Sequence, residues 1–183
     1  MTHGPDAAKT NAARLLEARG IGHRVRVYDA DGAFHSADEA AGLLGASGGS
    51  VLKTLVILRE RAGRAKPLLV LVPSDRQVDL KRLGQALGEK RLRMASQREA
   101  ETLTGLKVGG ISALAVRPGA FEVLVDASAA NLEQVHVSAG TRGIDLELAL
   151  RDFLAVTGGR LVDAAGRPGR TGAAPAPGEP SDE

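Results

Sequence analysis

Hydrophobic and polar positions follow a period of two in several short segments of the chain, as in β-strands. Alternating arginines and valines predict a half-buried strand over His23–Tyr28. Continuous apolar runs predict two more buried strands, Val51–Leu58 and Leu68–Val72. The second half of the chain contains five further short runs that predict strands: Ala113–Val116, Val123–Asp126, Val135–Ser138, Ile144–Leu148 and Arg160–Val162.

Other segments have the 3.6-residue period and the end signals of helices. Capping boxes at Ser36–Glu39 and Ser96–Glu99 each mark a helix start, because the serine and the glutamate can satisfy free backbone amides there. Glycines mark the ends. The predicted helices are Ala7–Arg19, a helix from Ser36 to Gly42 or Gly45, Asp79–Leu87, a helix from Ser96 to Gly105, and Ala149–Val156.

Helices and strands are mixed without a regular βαβ alternation, which indicates an α+β fold or an irregular, barrel-like mixed sheet with surrounding helices. We expect one domain over residues 9–165, preceded by a flexible N-terminus at residues 1–8. Residues 166–183 consist mainly of glycine, proline, alanine and charged residues. Such a segment has too little apolar content to pack, and we expect a disordered tail.

The composition limits the class of protein. The 183 residues are 43% hydrophobic and 25% charged, with no cysteine. Disulfides, thiolate nucleophiles and cysteine-bound zinc are therefore excluded. No run reaches the ~20 apolar residues of a membrane helix, and the first residues do not resemble a signal peptide. We expect a cytoplasmic protein that contacts no membrane.

The net charge of +2 is too small to indicate a nucleic-acid partner, but basic residues cluster in one segment. Seven of them, against Asp79 and Glu89, are Arg76, Lys81, Arg82, Lys90, Arg91, Arg93 and Arg98. Such a cluster can bind phosphates, and it can equally be a solvated surface.

Common catalytic motifs are missing. The chain has no Gly-x-Ser-x-Gly elbow and no phosphate-binding loop, and its four histidines have no metal-ligand spacing. We therefore expect neither a metal nor a cofactor.

Two features remain as candidate chemistry. Lys53 lies in an apolar strand and shares a face with Leu55 and Ile57, where an ammonium group needs a carboxylate, a phosphate or a cleft. The alternative is a lysine that reaches out to water. The second feature is Gly109-Gly110 after a predicted helix. Paired glycines can offer backbone amides to an oxyanion, or can simply form a turn.

Four segments of the chain, together and in order, resemble the YbaK family, the prolyl-tRNA synthetase-associated editing domain, from about Lys9 to Asp163. The segments are Leu52-Lys53-Thr54-Leu55; Val72-Pro73 with Gln77–Lys81 and Ala86–Gly88; Thr104-Gly105 with Gly109–Ser112; and Val137–Gly143 continuing into Ile144–Leu148.

The resemblance implies a mixed sheet with surrounding helices and an enzyme that hydrolyses the ester of mischarged aminoacyl-tRNA in trans. Cys-tRNA(Pro) is the first substrate that it implies. The partners would be the 3′ end of aminoacyl-tRNA and prolyl-tRNA synthetase. The family acts without a protein nucleophile, so the attacking group would be the substrate's own thiol or an oriented water.

The site residues that the resemblance implies are a catalytic lysine, Lys53, and a set that binds substrate. The binding set is Tyr28, Gly109, Gly110, Ser112, Ser138 and Asp145. For Asp145 an ion pair with Arg142 is the alternative.

Two departures from the family pattern concern specificity. Ala113 stands where a proline often follows the glycine loop, and the aromatic residue of cysteine-specific members is replaced near Ser36, with Phe34 displaced. Alanyl or seryl tRNA are therefore alternative substrates. Two other classes stay open: a non-catalytic module that binds tRNA or a synthetase, and a hydrolase of another small ester.

Overall fold

A computed structural model describes residues 10–29, 31, 33, 35–60 and 65–166. The predicted N-terminal segment 1–8 lies outside these residues, as does the predicted tail apart from Gly166. The helices of the described part are Asn11–Ala18 (α1), Ala37–Leu44 (α2), Leu80–Leu87 (α3), Gln97–Thr104 (α4) and Leu150–Thr157 (α5). Its strands are His23–Val27 (β1), Val51–Arg59 (β2), Leu68–Pro73 (β3), Leu92–Met94 (β4), Glu122–Asp126 (β5), Gln134–Thr141 (β6), Ile144–Ala149 (β7) and Arg160–Val162 (β8).

The strands form one mixed sheet in the order β1-β7-β6-β2-β3-β5-β8, with β4 paired to β2 as well. The pairs β2–β6, β3–β5 and β5–β8 are parallel, and the other pairs are antiparallel. With five helices in the described part, the fold is the mixed α+β class that the sequence predicts.

One face of the sheet is apolar along the five strands β7, β6, β2, β3 and β5. Val137 and Leu146 on this face belong to the larger core, together with Leu16 of α1 and Phe153 of α5, all of them buried. The other face has a smaller apolar core behind β3, β5 and β8, which includes Leu83 of α3. Across β6 and β7, however, the register places polar residues on this second face: His136, Ser138, Asp145 and Glu147.

The helix boundaries follow the signals in the sequence. Both predicted capping boxes form, at Ser36 with Glu39 and at Ser96 with Glu99. Gly45, Gly88 and Gly105 end their helices in the left-handed conformation that glycine adopts without strain.

One predicted strand does not form, and one strand of the structure was not predicted. Ala113–Val116 is not a strand, because the chain turns there: the Ala115 amide donates to the Ser112 carbonyl at 3.1 Å, and Leu114 packs into the core. The short strand β4 was not predicted. It pairs with the end of β2, and the Ala95 amide extends the pairing by donating to the Val56 carbonyl.

None of the helices in the described residues has the length and apolarity of a membrane-spanning segment.

Candidate active site

Strand β2 changes its neighbour part of the way along its length. On one side it pairs with β3 from Leu52 to Ile57. On the other side β6 pairs with Val51 and Leu52, and β4 pairs with Ile57–Arg59. Residues 53–55 thus lie in a gap between two diverging strands of the described sheet.

A pocket of about 200 Å³ opens at this gap. Its walls come from β2, from the hairpin β6–β7, from the turn after α4 and from the segment around the start of α2. Five of the predicted site residues line it: Tyr28, Lys53, Gly109, Ser138 and Asp145. The volume is below the ~300 Å³ at which sites for drug-sized ligands begin, so the pocket suits a small group.

Lys53 lies half-buried in this pocket. Its Nζ donates a hydrogen bond to the carbonyl oxygen of Ser74 at 2.9 Å. Burial lowers the pKa of Lys53, while the negative charges of Asp38 and Asp75 act in the opposite direction. An ammonium group has three donors, so two remain for a ligand once the bonds within the described chain are counted.

The Gly109-Gly110 pair forms a tight turn whose two amides differ in role. The Gly110 amide donates to the Lys107 carbonyl at 2.8 Å, which closes the turn, and Gly109 has a φ of 91° that favours glycine. The Gly109 amide has no hydrogen-bond acceptor among residues 10–29, 31, 33, 35–60 and 65–166. Of the two predicted amide donors, only Gly109 is therefore available to a ligand.

Gly110 instead lets the turn approach the hairpin. A Cβ at this position would lie 3.0 Å from the Arg142 amide nitrogen and 3.1 Å from the Thr141 carbonyl carbon. Arg142 holds the same turn from the other side, because its Nε donates to the Val108 carbonyl at 2.8 Å.

Asp145 is a carboxyl group buried without a hydrogen-bond donor. It is 5% exposed, and no described side chain or amide donates to it. Its cross-strand neighbour Arg26 pairs with Glu147 at 2.7 Å, and Arg142 pairs with the Val108 carbonyl. No ion pair joins Asp145 to Arg142 or to any other described residue, so the alternative of an Arg142–Asp145 pair is wrong. Burial raises the pKa of Asp145 to about 7.

Tyr28 is held against the hairpin by its backbone. The amides of Tyr28 and Asp29 both donate to the Gly143 carbonyl, at 3.0 and 3.2 Å. Burial, and next the charge of Asp145, raise the pKa of Tyr28 to about 12. Its hydroxyl therefore stays protonated at neutral pH and can donate a hydrogen bond. Ser138 completes this wall, and its Oγ accepts from the Gly140 amide at 3.3 Å.

Ser112 does not line the pocket, although the family resemblance names it. It is 1% exposed, and its Oγ accepts a hydrogen bond from the Leu114 amide at 3.2 Å. Its role here is to fix the turn that follows Ile111.

Three further polar residues line the pocket without having been predicted as site residues: His35, Ser36 and Thr54. Thr54 has a buried hydroxyl with no hydrogen-bond partner in the described chain. His35 packs edge-on against Tyr28, with ring centroids 6.1 Å apart, and its Nε2 lies 2.7 Å from Asp29 Oδ2. Thr54 was signalled by its place beside Lys53; His35 had no signal in the sequence. Phe34, the displaced aromatic, lies outside the described residues.

A larger hollow of about 550 Å³ lies between the end of β2 and α4. Most of its charged residues pair with one another or with nearby carboxylates, as Arg93 does with Glu99 at 2.7 Å. Arg98 is the one charged residue of this hollow without an ion pair in the described chain. In the described part of the chain, no three His, Asp or Glu residues are grouped as a metal site.

The chain is similar to several known proteins over most of its length. The model of the aminoacyl-tRNA editing domain family matches residues 31–156. A protein of Enterococcus faecalis, provisionally named a Cys-tRNA(Pro)/Cys-tRNA(Cys) deacylase, is 30% identical over 85% of this chain and 92% of its own. A multifunctional Ser/Thr-tRNA deacylase of Escherichia coli is 26% identical over 81% of this chain and 87% of its own. A solved structure described provisionally as a trans-editing enzyme for prolyl-tRNA synthetase has a TM-score of 0.72 and 27% identity, over 91% of this chain and all of that one.

Proposed function

Because this chain belongs to the aminoacyl-tRNA editing domain family, we propose that it removes cysteine that has been wrongly attached to proline tRNA. It is a hydrolase, and the bond that it breaks is the ester between the amino acid and the tRNA 3′ end. The observation that carries this proposal is a small pocket that combines a half-buried ammonium, a free backbone amide and a buried carboxyl group.

The pocket matches the charges of an aminoacyl ester. Every such ester has an α-amino group that is cationic at neutral pH, and Asp145 is a buried carboxyl group to which no described residue donates a hydrogen bond. We assign Asp145 to the α-ammonium group. Binding of this cation stabilises the carboxylate that burial disfavours.

The opposite end of the ester needs donors. The carbonyl oxygen becomes negative as the attacking group adds to the carbon, and the Gly109 amide is a donor that no other group uses in the described chain. We assign the two free donors of Lys53 to the ester and to the terminal adenosine. In this assignment the protein residues bind and orient the ester, and none of them acts as the nucleophile.

Cysteine is the preferred substrate because it supplies its own nucleophile. Its sulfur adds to the carbonyl carbon, the bond to the ribose oxygen breaks, and that oxygen receives the thiol proton. Water then opens the resulting thiolactone. The small pocket also suits serine and alanine, and the similarity to a Ser/Thr-tRNA deacylase favours serine as the second candidate.

Prolyl-tRNA synthetase is the proposed protein partner, because a structurally similar protein is described as acting in trans for that enzyme. The cytoplasm, where tRNA is charged, is the proposed place of action.

The test is a deacylation assay with cysteinyl, seryl and alanyl esters on the same proline tRNA, using the wild type and Lys53→Ala. We expect the cysteinyl ester to be cleaved far faster than the seryl ester of nearly equal size. Loss of the Lys53 donors should lower kcat on the order of 10²-fold or more for every substrate. Lys107→Ala is the matched control, since that lysine is exposed and pairs with Glu101.

Each contrary result has a distinct meaning. Equal rates for the cysteinyl and seryl esters would rule out attack by the thiol. Near wild-type rates in a folded Lys53→Ala protein would contradict the assigned site. A wild-type protein that binds but cleaves none of these esters would be the non-catalytic module instead.

A further inference from the structure

His35 and Asp29 form a hydrogen-bonded pair at the wall of the pocket. Nε2 of His35 lies 2.7 Å from Oδ2 of Asp29, and the histidine side chain is 28% exposed. His35 lines the pocket that also holds Lys53 and Asp145. A histidine oriented by a carboxylate in a substrate pocket is an arrangement suited to general base catalysis.

The neighbours of Asp29 determine which nitrogen of His35 carries the proton. Oδ1 of Asp29 accepts from the Asp31 amide at 2.9 Å, and Oδ2 accepts from the Ala33 amide at 3.0 Å. The hydrogen bond with His35, and next these two amide bonds, lower the pKa of Asp29, so its carboxylate is an acceptor only. Nε2 must therefore donate to Asp29.

The other ring nitrogen is then the basic one. In a neutral imidazole with a proton on Nε2, Nδ1 has the free electron pair. The nearest acidic atom, Oε2 of Glu39, is 4.0 Å from Nδ1, which is too long for a hydrogen bond, and Oε2 accepts from the Ser36 amide at 2.8 Å. Nδ1 is thus available to take a proton.

We propose that His35, oriented by Asp29, is a general base for a water that hydrolyses esters of small amino acids without a nucleophilic side chain. This inference rests on the proposed deacylase function and adds a catalytic residue to it. Nδ1 takes one proton from the water, and the water oxygen bonds to the ester carbonyl carbon. The bond from that carbon to the ribose oxygen breaks, and the imidazolium returns the proton to the ribose oxygen.

The test uses Ala-tRNA(Pro), because alanine has no side chain that could attack the ester. Rates are measured against pH, after subtraction of spontaneous hydrolysis, for the wild type, His35→Gln, His35→Ala and His23→Gln. The glutamine amide can still donate to Asp29 but cannot act as a base. His23 is the matched control, since its ring bonds the Ile21 carbonyl at 3.0 Å and does not line this pocket.

We expect a wild-type rate that rises with pH, because an imidazole that already holds a second proton cannot act as a base. His35→Gln should lower kcat on the order of 10²-fold with KM within about twofold, and should lose this rise. Added imidazole should restore part of the rate of His35→Ala. His23→Gln should behave as the wild type.

Other groups near His35 could also shape the profile. Those that face it are Asp29, Glu39, Tyr28, Lys53 and Asp145. All of them remain in His35→Gln, so a rise that persists in this variant belongs to one of them and overturns the proposal. A loss of kcat with an unchanged profile and no rescue by imidazole also overturns it, because it shows a structural role.

The outcome separates this inference from the proposed function. Cleavage of the cysteinyl ester without cleavage of the alanyl ester leaves the deacylase function standing and contradicts the general base. Failure to cleave any aminoacyl ester overturns both.

Discussion

Asp145 is buried at a cost to the stability of the folded protein. It is 5% exposed and receives no hydrogen bond from the described residues, and burial raises its pKa from 3.8 to about 7. A buried carboxyl group with a raised pKa and no hydrogen bond is typical of a binding site, where the ligand supplies the partner that stabilises its charge. Asp126 is buried to a similar degree, but it accepts four hydrogen bonds, from Ser128, Ala164 and Ala165.

The contrast between these two residues gives a prediction about stability and pH. Asp145 binds its proton more tightly in the folded protein than in the unfolded chain. Its contribution to the free energy of unfolding is therefore largest below pH ~4 and is lost as the pH rises through about 7. Asp145→Asn should therefore raise the free energy of unfolding at pH 8 on the order of 2 kcal/mol, with little effect near pH 4. Urea unfolding at both pH values measures this, and deacylation by the same variant should fall.

Asp126→Asn is the matched control, with the opposite sign. Hydrogen bonds lower the pKa of Asp126 despite its burial, so its contribution is present above the unfolded pKa and is lost as the pH falls. The variant should lose stability at pH 8, because an amide cannot accept all four bonds. Destabilisation of both variants at pH 8 would show that Asp145 has a stabilising partner after all.

Single residues of the site were predictable only in part. Lys53 was predictable because burying an ammonium group in an apolar strand is unfavourable unless it has a partner or a cleft. That the amide of Gly110 closes a turn while the amide of Gly109 stays free depends on local hydrogen bonds that no dipeptide encodes. His35 became visible only when the fold brought it next to Asp29 and Tyr28.

Among helices and strands, local signals decided which predictions succeeded. Capping boxes and terminal glycines fix helix ends through the chain's own backbone amides, so these boundaries are readable from sequence. Strand β4 has three residues and depends on its pairing with β2, a contact between distant segments. Residues 113–116 have an apolar composition, but the bonds of Ser112 to the following amides turn the chain there instead.

The contact between the Val108–Gly110 turn and the hairpin β6–β7 yields a prediction about elements. In Gly110→Ala the added methyl would meet backbone atoms of Thr141 and Arg142 at 3.0–3.2 Å, and backbone cannot move aside easily. We expect a loss of ~1–3 kcal/mol in the free energy of unfolding and displacement of the Gly109 amide. Deacylation should fall more than this loss of stability explains.

Gly42→Ala provides the comparison for this change. Gly42 lies inside α2, where a Cβ would meet nothing within 4 Å. The same substitution should stabilise the helix by up to ~1 kcal/mol and leave deacylation unchanged. If Gly110→Ala were as stable and as active as Gly42→Ala, the close approach of turn and hairpin would not matter for the site.

At the scale of the whole molecule, the residues of the larger apolar core and the polar residues of the pocket lie on opposite faces of strands β6 and β7. The larger core covers one face of the sheet along β7, β6, β2, β3 and β5, and the smaller core covers the second face along β3, β5, β8 and the part of β2 at Ile57. The rest of the second face carries the polar residues of β6 and β7. Because the larger core covers β6 and β7 on one face, these two strands can carry buried polar groups on the other.

In the folded protein, some cations of the basic segment from Arg76 to Arg98 form ion pairs and others do not. Arg82 pairs with Asp163 at 2.9 Å, and Arg93 pairs with Glu99 at 2.7 Å. Four other cations of this segment are exposed and have no ion pair within the described residues: Lys81, Lys90, Arg91 and Arg98. These four are free to contact phosphates, whereas reversal of Arg93 would break a contact that supports α4.

We predict that part of the affinity for tRNA comes from this surface. Each phosphate contact releases condensed cations, so the logarithm of the binding constant should fall linearly with the logarithm of salt concentration. Lys90→Glu with Arg91→Glu should weaken binding to cognate and non-cognate tRNA about equally and make the slope shallower by roughly 1.5–2. Arg117→Glu with Arg151→Glu changes the net charge by the same amount at other exposed positions. Fluorescence anisotropy over a salt series measures tRNA binding by the two double variants. Equal weakening in both would mean a general effect of net charge. Unchanged binding by the variant at Lys90 and Arg91 would mean that this surface contacts only solvent.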